Sequence, residues 1–395
     1  MPKHWIFRIL LMVLITLPTA GCMSTSDRLP AVPRERAIQF DYLGIPDSRF
    51  HLTSEPERFA TMWIAAERKL ARSRPSGWKG TEHMLALSGG GDNGAYGAGI
   101  LYGWSQRGDR PEFTLVTGVS TGALIASFAF LGTRYDEALK AVYTQITESD
   151  IATKRPILAA LVSDALADTG PLTALIARHL TEDMMREIAQ EYRKGRLLLI
   201  GTTDLDLAQP VIWNIGAIAD SGHPDALASI RRVLLASASI PGVFPPVPIE
   251  VDVDGQKRHE LHVDGGATNQ VFLYPSNIPM RALPEDIRRT KRVAWVIRNG
   301  RTLERAKQVD RGLMPVAQRS ISTLIAANAM GDLYRMYLTT QRDKIDFNLA
   351  YMTRRFAMES DKPFDPAYMN ALFEFGRTEA VREAVWAKRP PGYTP

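Results

Sequence analysis

Met84-Leu85-Ala86-Leu87-Ser88-Gly89-Gly90-Gly91-Asp92-Asn93-Gly94 and Phe113-Thr114-Leu115-Val116-Thr117-Gly118-Val119-Ser120-Thr121-Gly122 are the two stretches whose reading decides the fold. Each runs from a short apolar strand through a glycine-rich turn into a helix. Repeated along a chain, that order builds a mostly parallel sheet covered by helices. The two turns differ in chemistry. Gly89-Gly90-Gly91 presents bare backbone N–H groups beside a helix N-terminus, a donor set suited to a carbonyl oxygen that becomes negative in a transition state. Gly118-Val119-Ser120-Thr121-Gly122 lifts one serine onto a sharp bend. Its flanking glycines leave space that Cβ atoms would fill, the setting of a nucleophile elbow.

Outward from these turns the pattern is consistent. Phe59 to Glu67 has helical spacing, and Ser73-Arg74-Pro75-Ser76-Gly77 ends it. Tyr96, Ile100, Leu101 and Trp104 mark one face of the helix after the first turn, and Ala123 to Leu131 forms the next. Helical patterns at 134–147, 156–166 and 171–192 lead to a strand at 197–200. Strands follow at 210–215, 260–263 and 292–297, and helices at 305–342 and 365–388. The expected class is α/β, three layers with a mostly parallel central sheet between helices. No internal repeat or low-complexity tract interrupts it.

Composition narrows the function. The 395 residues are 45% hydrophobic and 23% charged, enough to bury a large core. The formal charge of +5 falls to +3 without the first 21 residues, which hold Lys3 and Arg8 and no acid. That mild basicity is compatible with an anionic lipid surface, and no run of Lys and Arg interleaved with aromatics points to nucleic acid. Residues 1–21 read as a basic start, an apolar run Ile9 to Ile15 too short to span a bilayer, and small residues before Cys22. Thr19-Ala20-Gly21-Cys22 is similar to a bacterial lipobox, with Thr19 where that box usually has Leu. An ordinary secretory signal is the alternative, but the sole cysteine of the chain stands at this place. Lipidation at Cys22 implies an envelope protein held by an N-terminal lipid anchor, and Met23 after it favours the outer membrane. Residues 23–38 read as a flexible tether.

The chemistry turns on the base that serves Ser120. Gly89-x-Gly91-x-x-Gly94 formally fits a dinucleotide fingerprint, but the second strand ends in Thr117-Gly118-Val119-Ser120, with no carboxylate for a ribose. A phosphate P-loop fails because no Gly-Lys-Ser/Thr follows. A serine hydrolase commonly pairs Ser with an acid and then a His, yet none of the seven histidines lies beyond 262. Asp204 or Asp206 with His259 or His262 would keep triad order. Asp264, at a strand end before Gly265 and Gly266, is the better candidate base. No set of His, Cys, Asp and Glu has metal-ligand spacing, and neither metal nor other cofactor is expected.

With strand-Gly-Gly-Gly, the Ser120 elbow and Asp264-Gly265-Gly266 in that order, the chain resembles the patatin-like phospholipase family. Ala236-Ser237-Ala238-Ser239-Ile240-Pro241-Gly242-Val243-Phe244-Pro245-Pro246 and Thr202-Thr203-Asp204-Leu205 extend the resemblance over roughly residues 84–275. The resemblance implies a Ser–Asp dyad without histidine: Ser120 as nucleophile, Asp264 as base, the Gly89, Gly90 and Gly91 amides as oxyanion hole, with Gly94, Gly118, Gly122, Gly265 and Gly266 supporting the turns. It implies a lipid or fatty-acyl ester substrate and a patatin-like three-layer fold. One departure is Asn93, where the family often carries Arg or Lys, which weakens the case for a phospholipid head group. The expected organisation is a signal segment at 1–21, a tether and N-terminal segment at 22–80, a catalytic core at 81–300 and a helical C-terminal part of the same domain at 301–395. A short-chain carboxylesterase and a non-catalytic lipid- or envelope-protein-binding scaffold are the alternatives; protein partners, acyl length, head group and oligomeric state stay open.

Overall fold

The computed structural model describes residues 28–38, 40–154, 165–301, 306, 308–360, 362–382 and 385–394. The signal segment 1–21, Cys22 and most of the helix expected at 156–166 lie outside them. The chain divides into two compact units, Met1–Pro30 and Ala31–Pro395. The first contributes only residues 28–30 to the description, and the second is described below.

Eleven strands are described: β1 (Arg49–His51), β2 (Thr81–Leu87), β3 (Leu115–Val119), β4 (Thr153–Lys154), β5 (Ala167–Asp168), β6 (Leu197–Asp204), β7 (Gln209–Asn214), β8 (Val247–Val253), β9 (Gln256–Asp264), β10 (Lys291–Arg301) and β11 (Asp346–Met352). Among the described residues, the helices of eight residues or more are α1 (Pro56–Ser73), α2 (Gly94–Arg107), α3 (Thr121–Leu131), α4 (Asp136–Thr144), α5 (Gly170–His179), α6 (Glu182–Arg193), α7 (Ala226–Ser237), α8 (Leu313–Arg342) and α9 (Pro366–Val381). Nine strands form one sheet in the order β1-β7-β6-β3-β2-β10-β11, with β8 and β9 added beside β6; β4 and β5 form a separate two-stranded ladder. The run β6-β3-β2-β10-β11 is parallel, and antiparallel pairs close the other end.

Alternation along the strands produces the layers. Leu85 and Leu87 of β2, Val116 of β3 and Leu198 and Ile200 of β6 enter one apolar cluster, with side chains from α2, α3, α7 and α9. Met84 and Ala86, Leu115 and Val119, and Leu197 and Leu199 enter the other, with Phe59, Met62 and Trp63 of α1 and Leu333, Met336 and Tyr337 of α8. Successive residues of a strand point to opposite faces, so strands apolar on both faces need helices on both. The three-layer α/β/α expectation therefore holds, with a mixed sheet.

Several boundaries differ from expectation. The helix expected at 171–192 is two, α5 and α6, because the Thr181 hydroxyl accepts the Met184 N–H at 3.2 Å and starts a new helix there. β8 is a strand the sequence reading leaves out, although its buried residues alternate strictly with Pro248, Glu250 and Asp252 on the open side, the period of a half-buried strand. The C-terminal part is not wholly helical: β11 adds to β10 as a parallel strand. Residues upstream of 80 also join the sheet, because β1 pairs with β7.

β6 sets the position of the site. Its first five residues pair with β3, from Leu115 opposite Leu197 to Val119 opposite Gly201. β3 ends there, and β9 takes over the same edge, with Asp264 opposite Thr202 and His262 opposite Asp204. Two strands thus meet end to end along one edge of a third. Ser120 follows the end of the first, and Asp264 is the end of the second.

β1 is tied down by a buried ion pair. Arg49 donates to Glu260 from both Nη atoms, the Nη2–Oε1 contact being 2.9 Å, and both side chains are buried. Burial acts to raise the Glu260 pKa, but the Arg49 charge and hydrogen bonds from His262 and Arg49 outweigh it and hold the carboxylate ionised. Removing one partner leaves an uncompensated buried charge. Arg49→Met is therefore expected to destabilise the protein by about 3–5 kcal/mol in urea unfolding, whereas Arg49→Met combined with Glu260→Leu should recover most of the loss.

Candidate active site

The elbow is visible in the backbone. Ser120 has φ 56° and ψ −128°, a left-handed conformation that a non-glycine residue holds at a cost of about 1–3 kcal/mol. It is fixed from behind. The Ser120 N–H donates to the Ser237 hydroxyl at 2.9 Å, and that hydroxyl donates to the Gly201 carbonyl at 2.7 Å. A Cβ on Gly118 would lie 2.5 Å from the Gly122 carbonyl oxygen, and one on Gly122 would lie 2.3 Å from that of Leu87. Both flanking glycines are thus demanded by backbone contact. Gly94 is demanded by the Thr121 hydroxyl, 2.2 Å from where its Cβ would stand.

Asp264 meets this turn from the other side. The Ser120 hydroxyl lies near enough to its carboxylate to favour the ionised form, and its Oδ1 accepts the Gly266 N–H at 2.7 Å. Its own N–H donates to the Ser239 carbonyl at 2.9 Å. One segment, Ser237 to Ser239, therefore holds both the elbow and the acid. Asp264 is buried, and burial pushes its pKa up to about 6; the Ser120 hydroxyl and the Gly266 N–H act in the opposite direction and only partly offset it. Gly265 is required because a Cβ would stand 2.6 Å from the Gly201 carbonyl oxygen, whereas a Cβ on Gly266 would displace the Gln270 side-chain amide, 2.1 Å away at Nε2.

The glycine loop departs from expectation in one respect. The Gly89 N–H donates to the Gln270 carbonyl at 3.1 Å, so it is not available to an oxyanion. No bond within the described chain engages the Gly90 and Gly91 amides, and both residues line a cavity of about 420 Å³ together with Ser120 and Asp264. The loop is held by its carbonyls. Arg298 Nη1 donates to the Gly89 carbonyl at 3.0 Å, and Asn299 Nδ2 donates to the Ser88 carbonyl at 2.7 Å. A Cβ on Gly90 would stand 1.9 Å from the Asn299 carbonyl oxygen. Asn93, which also lines the cavity, donates from Nδ2 to the Gly90 carbonyl and accepts from the Tyr368 hydroxyl.

The sequence reading misses several supporting residues. Arg298 and Asn299 lie at the end of a strand with no motif of their own, and Asp332 lies inside a long helix. Asp332 accepts the Gln270 N–H at 2.7 Å and the Asn269 amide at 3.2 Å, tying α8 to the loop that receives Gly89. Ser237 belongs to a quoted segment, yet only the structure assigns its hydroxyl to the elbow.

The histidines are placed elsewhere. His262 is buried, with Nδ1 at 3.0 Å from the Thr202 hydroxyl and Nε2 at 3.3 Å from Glu260, so neither nitrogen is left for Ser120. His259 sits opposite Glu250 on the β8–β9 ladder. Asp204, Glu260 and His262 bring ligand-type atoms within 4.8 Å of one another. The Arg49 guanidinium already occupies both Glu260 oxygens, and Asp204 Oδ1 accepts the Asp206 and Leu207 N–H groups. The cluster is thus held by the chain's own donors.

No curated protein sequence matches the chain. Among solved structures, VipD from Legionella pneumophila is similar at 12% identity with a TM-score of 0.36, over 77% of this chain and 67% of that one. The family model described as patatin-like phospholipase matches residues 85–283, which span the glycine loop, the elbow and the Asp264 turn. With half of the chain matched and all three turns inside the match, the protein belongs to the patatin-like phospholipase family, a family of lipid acyl hydrolases.

Proposed function

We propose that the chain is a serine lipid-acyl hydrolase of phospholipase or lysophospholipase type, working with a Ser120–Asp264 dyad and anchored to the bacterial envelope through Cys22. The observation that carries this reading is that Ser120, on its strained bend, and the buried Asp264 line one cavity together with Gly90 and Gly91. Asp264 takes the hydroxyl proton as Ser120 Oγ bonds to the ester carbonyl carbon, and the Gly90 and Gly91 amides receive the oxyanion. Collapse of the tetrahedral species breaks the C–O bond, and the leaving alkoxide takes the proton back from Asp264. Water, deprotonated by the same carboxylate, then cleaves the acyl-enzyme.

Two features support a lipid. An apolar slot beside Ser120, about 40 Å³, is walled by Leu124, Val142, Ile146, Leu172, Leu175 and Phe244. It shares Leu124, Val142 and Leu175 with a second apolar slot that reaches Met184 and Leu234, and we read the two together as the track for an acyl chain. Arg298 and Arg301 line the main cavity beside Asp92 and Glu359, and we read their cations as the side of the cavity that faces an anionic head group, although position 93 is Asn. The narrowness of the track favours, as a second reading, an esterase restricted to short chains.

Ser120→Ala is expected to lower turnover by on the order of 10⁶ and to abolish labelling by a fluorophosphonate probe. A probe adduct on another serine of the wild type refutes the assignment, and an unlabelled but folded wild type favours the scaffold alternative.

The base must be ionised, so kcat/KM should fall about tenfold per pH unit below pH about 6, the value to which burial raises Asp264. Because this folded-state value exceeds the ordinary 3.8, ionised Asp264 costs stability. The cost is absent at low pH and develops as pH rises from about 4 to about 6. It amounts to about 3 kcal/mol at 1.36 kcal/mol per pH unit. Asp264→Asn should therefore be inactive yet at least as heat-stable as the wild type at pH 8. A retained pH-rate step in that variant, or a lower melting temperature, counts against this account.

Acyl length and location have their own tests. Leu175→Trp should lower the ratio of kcat/KM for a sixteen-carbon over a four-carbon acyl ester at least tenfold, and an unchanged ratio removes the track from the acyl site. The wild type should incorporate labelled palmitate and resist a high-salt wash from membranes, since several chains on one cysteine anchor stably where one does not. Cys22→Ser should do neither.

A further inference from the structure

α8 is two helices in its environment. From Ala329 onward it is packed, with Leu333, Met336 and Tyr337 in the core. Its first half is not. Leu313 is 85% exposed, Leu324 64%, Val316 50% and Met314 43%, the largest concentration of exposed apolar side chains among the described residues. At 100° per residue Leu313, Val316, Ala317 and Leu324 fall on one stripe, whereas Ser322 and Ala326, which line the main cavity, fall on the opposite side. This half-helix is thus a wall between the cavity and solvent, apolar on its outer face.

Charge singles out the same segment. Residues 301–319 carry five cations, Arg301, Arg305, Lys307, Arg311 and Arg319, against Glu304 and Asp310. From Arg311 to Gly331 there is no acid. No helix among the described residues is long and apolar enough to cross a membrane. An apolar stripe on an acid-free stretch that follows a net-basic segment of sequence, on a helix too polar to span, fits an element that lies in the plane of an anionic bilayer with its apolar side in the acyl boundary.

The geometry points to the Leu313–Ala327 half of α8 as the lipid-surface docking element of this protein, bringing this wall of the cavity to the bilayer surface. This rests on the lipid-hydrolase reading for its purpose, but the binding itself does not require turnover. A cavity wall that inserts among lipids removes the need for an ester to cross water before it reaches Ser120.

The test uses the full chain carrying Cys22→Ser, so that no acyl anchor contributes. An environment-sensitive dye is attached at Leu324→Cys or, as a distant control, at Val381→Cys. Vesicles of equimolar phosphatidylglycerol and phosphatidylcholine are then added. A blue shift at 324 with none at 381 is expected; no shift at 324, or equal shifts at both, overturns the proposal. A shift at 324 that needs no vesicles and grows with protein concentration marks a self-association face and overturns it too. In a second arm, Leu313→Glu with Leu324→Glu should lower hydrolysis of vesicle phospholipid at least tenfold and leave a soluble four-carbon ester within twofold. Equal loss on both substrates, or loss on neither, refutes docking through this stripe. If the wild type cleaves neither substrate, the hydrolase reading falls while the dye arm still decides the docking.

Discussion

The edge of β6 is the constraint on which the site depends. Two strands share it, β3 as far as Gly201 and β9 from Thr202, and the junction between them is where Ser120 and Asp264 meet. Hydrogen bonding along β6 fixes both strands in register, and register in a sheet is all or nothing: a slip of one residue turns a side chain to the other face. A parallel strand can deliver a serine only by ending in a sharp bend, and an antiparallel one can deliver an acid at its last residue. The opposed directions of β3 and β9 make the encounter possible.

That junction is held at a conformational cost. Ser120 sits at positive φ, Asp264 is buried with its ionised form disfavoured, and glycines occupy positions where any Cβ would strike backbone. Strain and an unfavourable buried charge persist only where the surroundings over-determine them. Here the surroundings are the Ser237 hydroxyl, the Ser239 carbonyl and the Gly266 amide, each spent on one of the two residues. A carboxyl poised near 6 is also a useful base at neutral pH, whereas an ordinary one is too weak. The same desolvation that costs stability thus suits proton transfer.

How much of this was legible in the sequence follows from the range of the interactions. The glycine loop, the elbow and the Asp264 turn are local: each demands particular residues within a few positions, so each leaves a motif. The three-layer fold is legible for the same reason, since strand and helix periodicities are local. What was not legible depends on distant partners. Nothing near Gly89 signals that its amide is taken by the Gln270 carbonyl, which is why three glycines reduce to two available donors. Arg298 and Asn299 hold the loop from β10, some 200 residues away, and β1 and β11 are short or edge strands whose membership only pairing decides. The described residues leave the Cys22 region untouched.

The C-terminal third is then part of the chemistry rather than a cover for it. β10 supplies the donors that fix the glycine loop, and Asp332 of α8 fixes the loop whose carbonyl takes up Gly89. The same helix, ten residues upstream, lines the cavity through Ser322 and Ala326 and carries the exposed stripe on its other side. One continuous helix therefore connects the outer surface to the loop that takes up the Gly89 amide. The buried carboxylate of Asp332, inside this helix, ties it to the Gln270 loop. Whatever surface meets the first turns of α8 is consequently held at a fixed height above Ser120. For an enzyme acting on esters embedded in a surface, that fixed height decides which carbonyl along the lipid can reach the nucleophile.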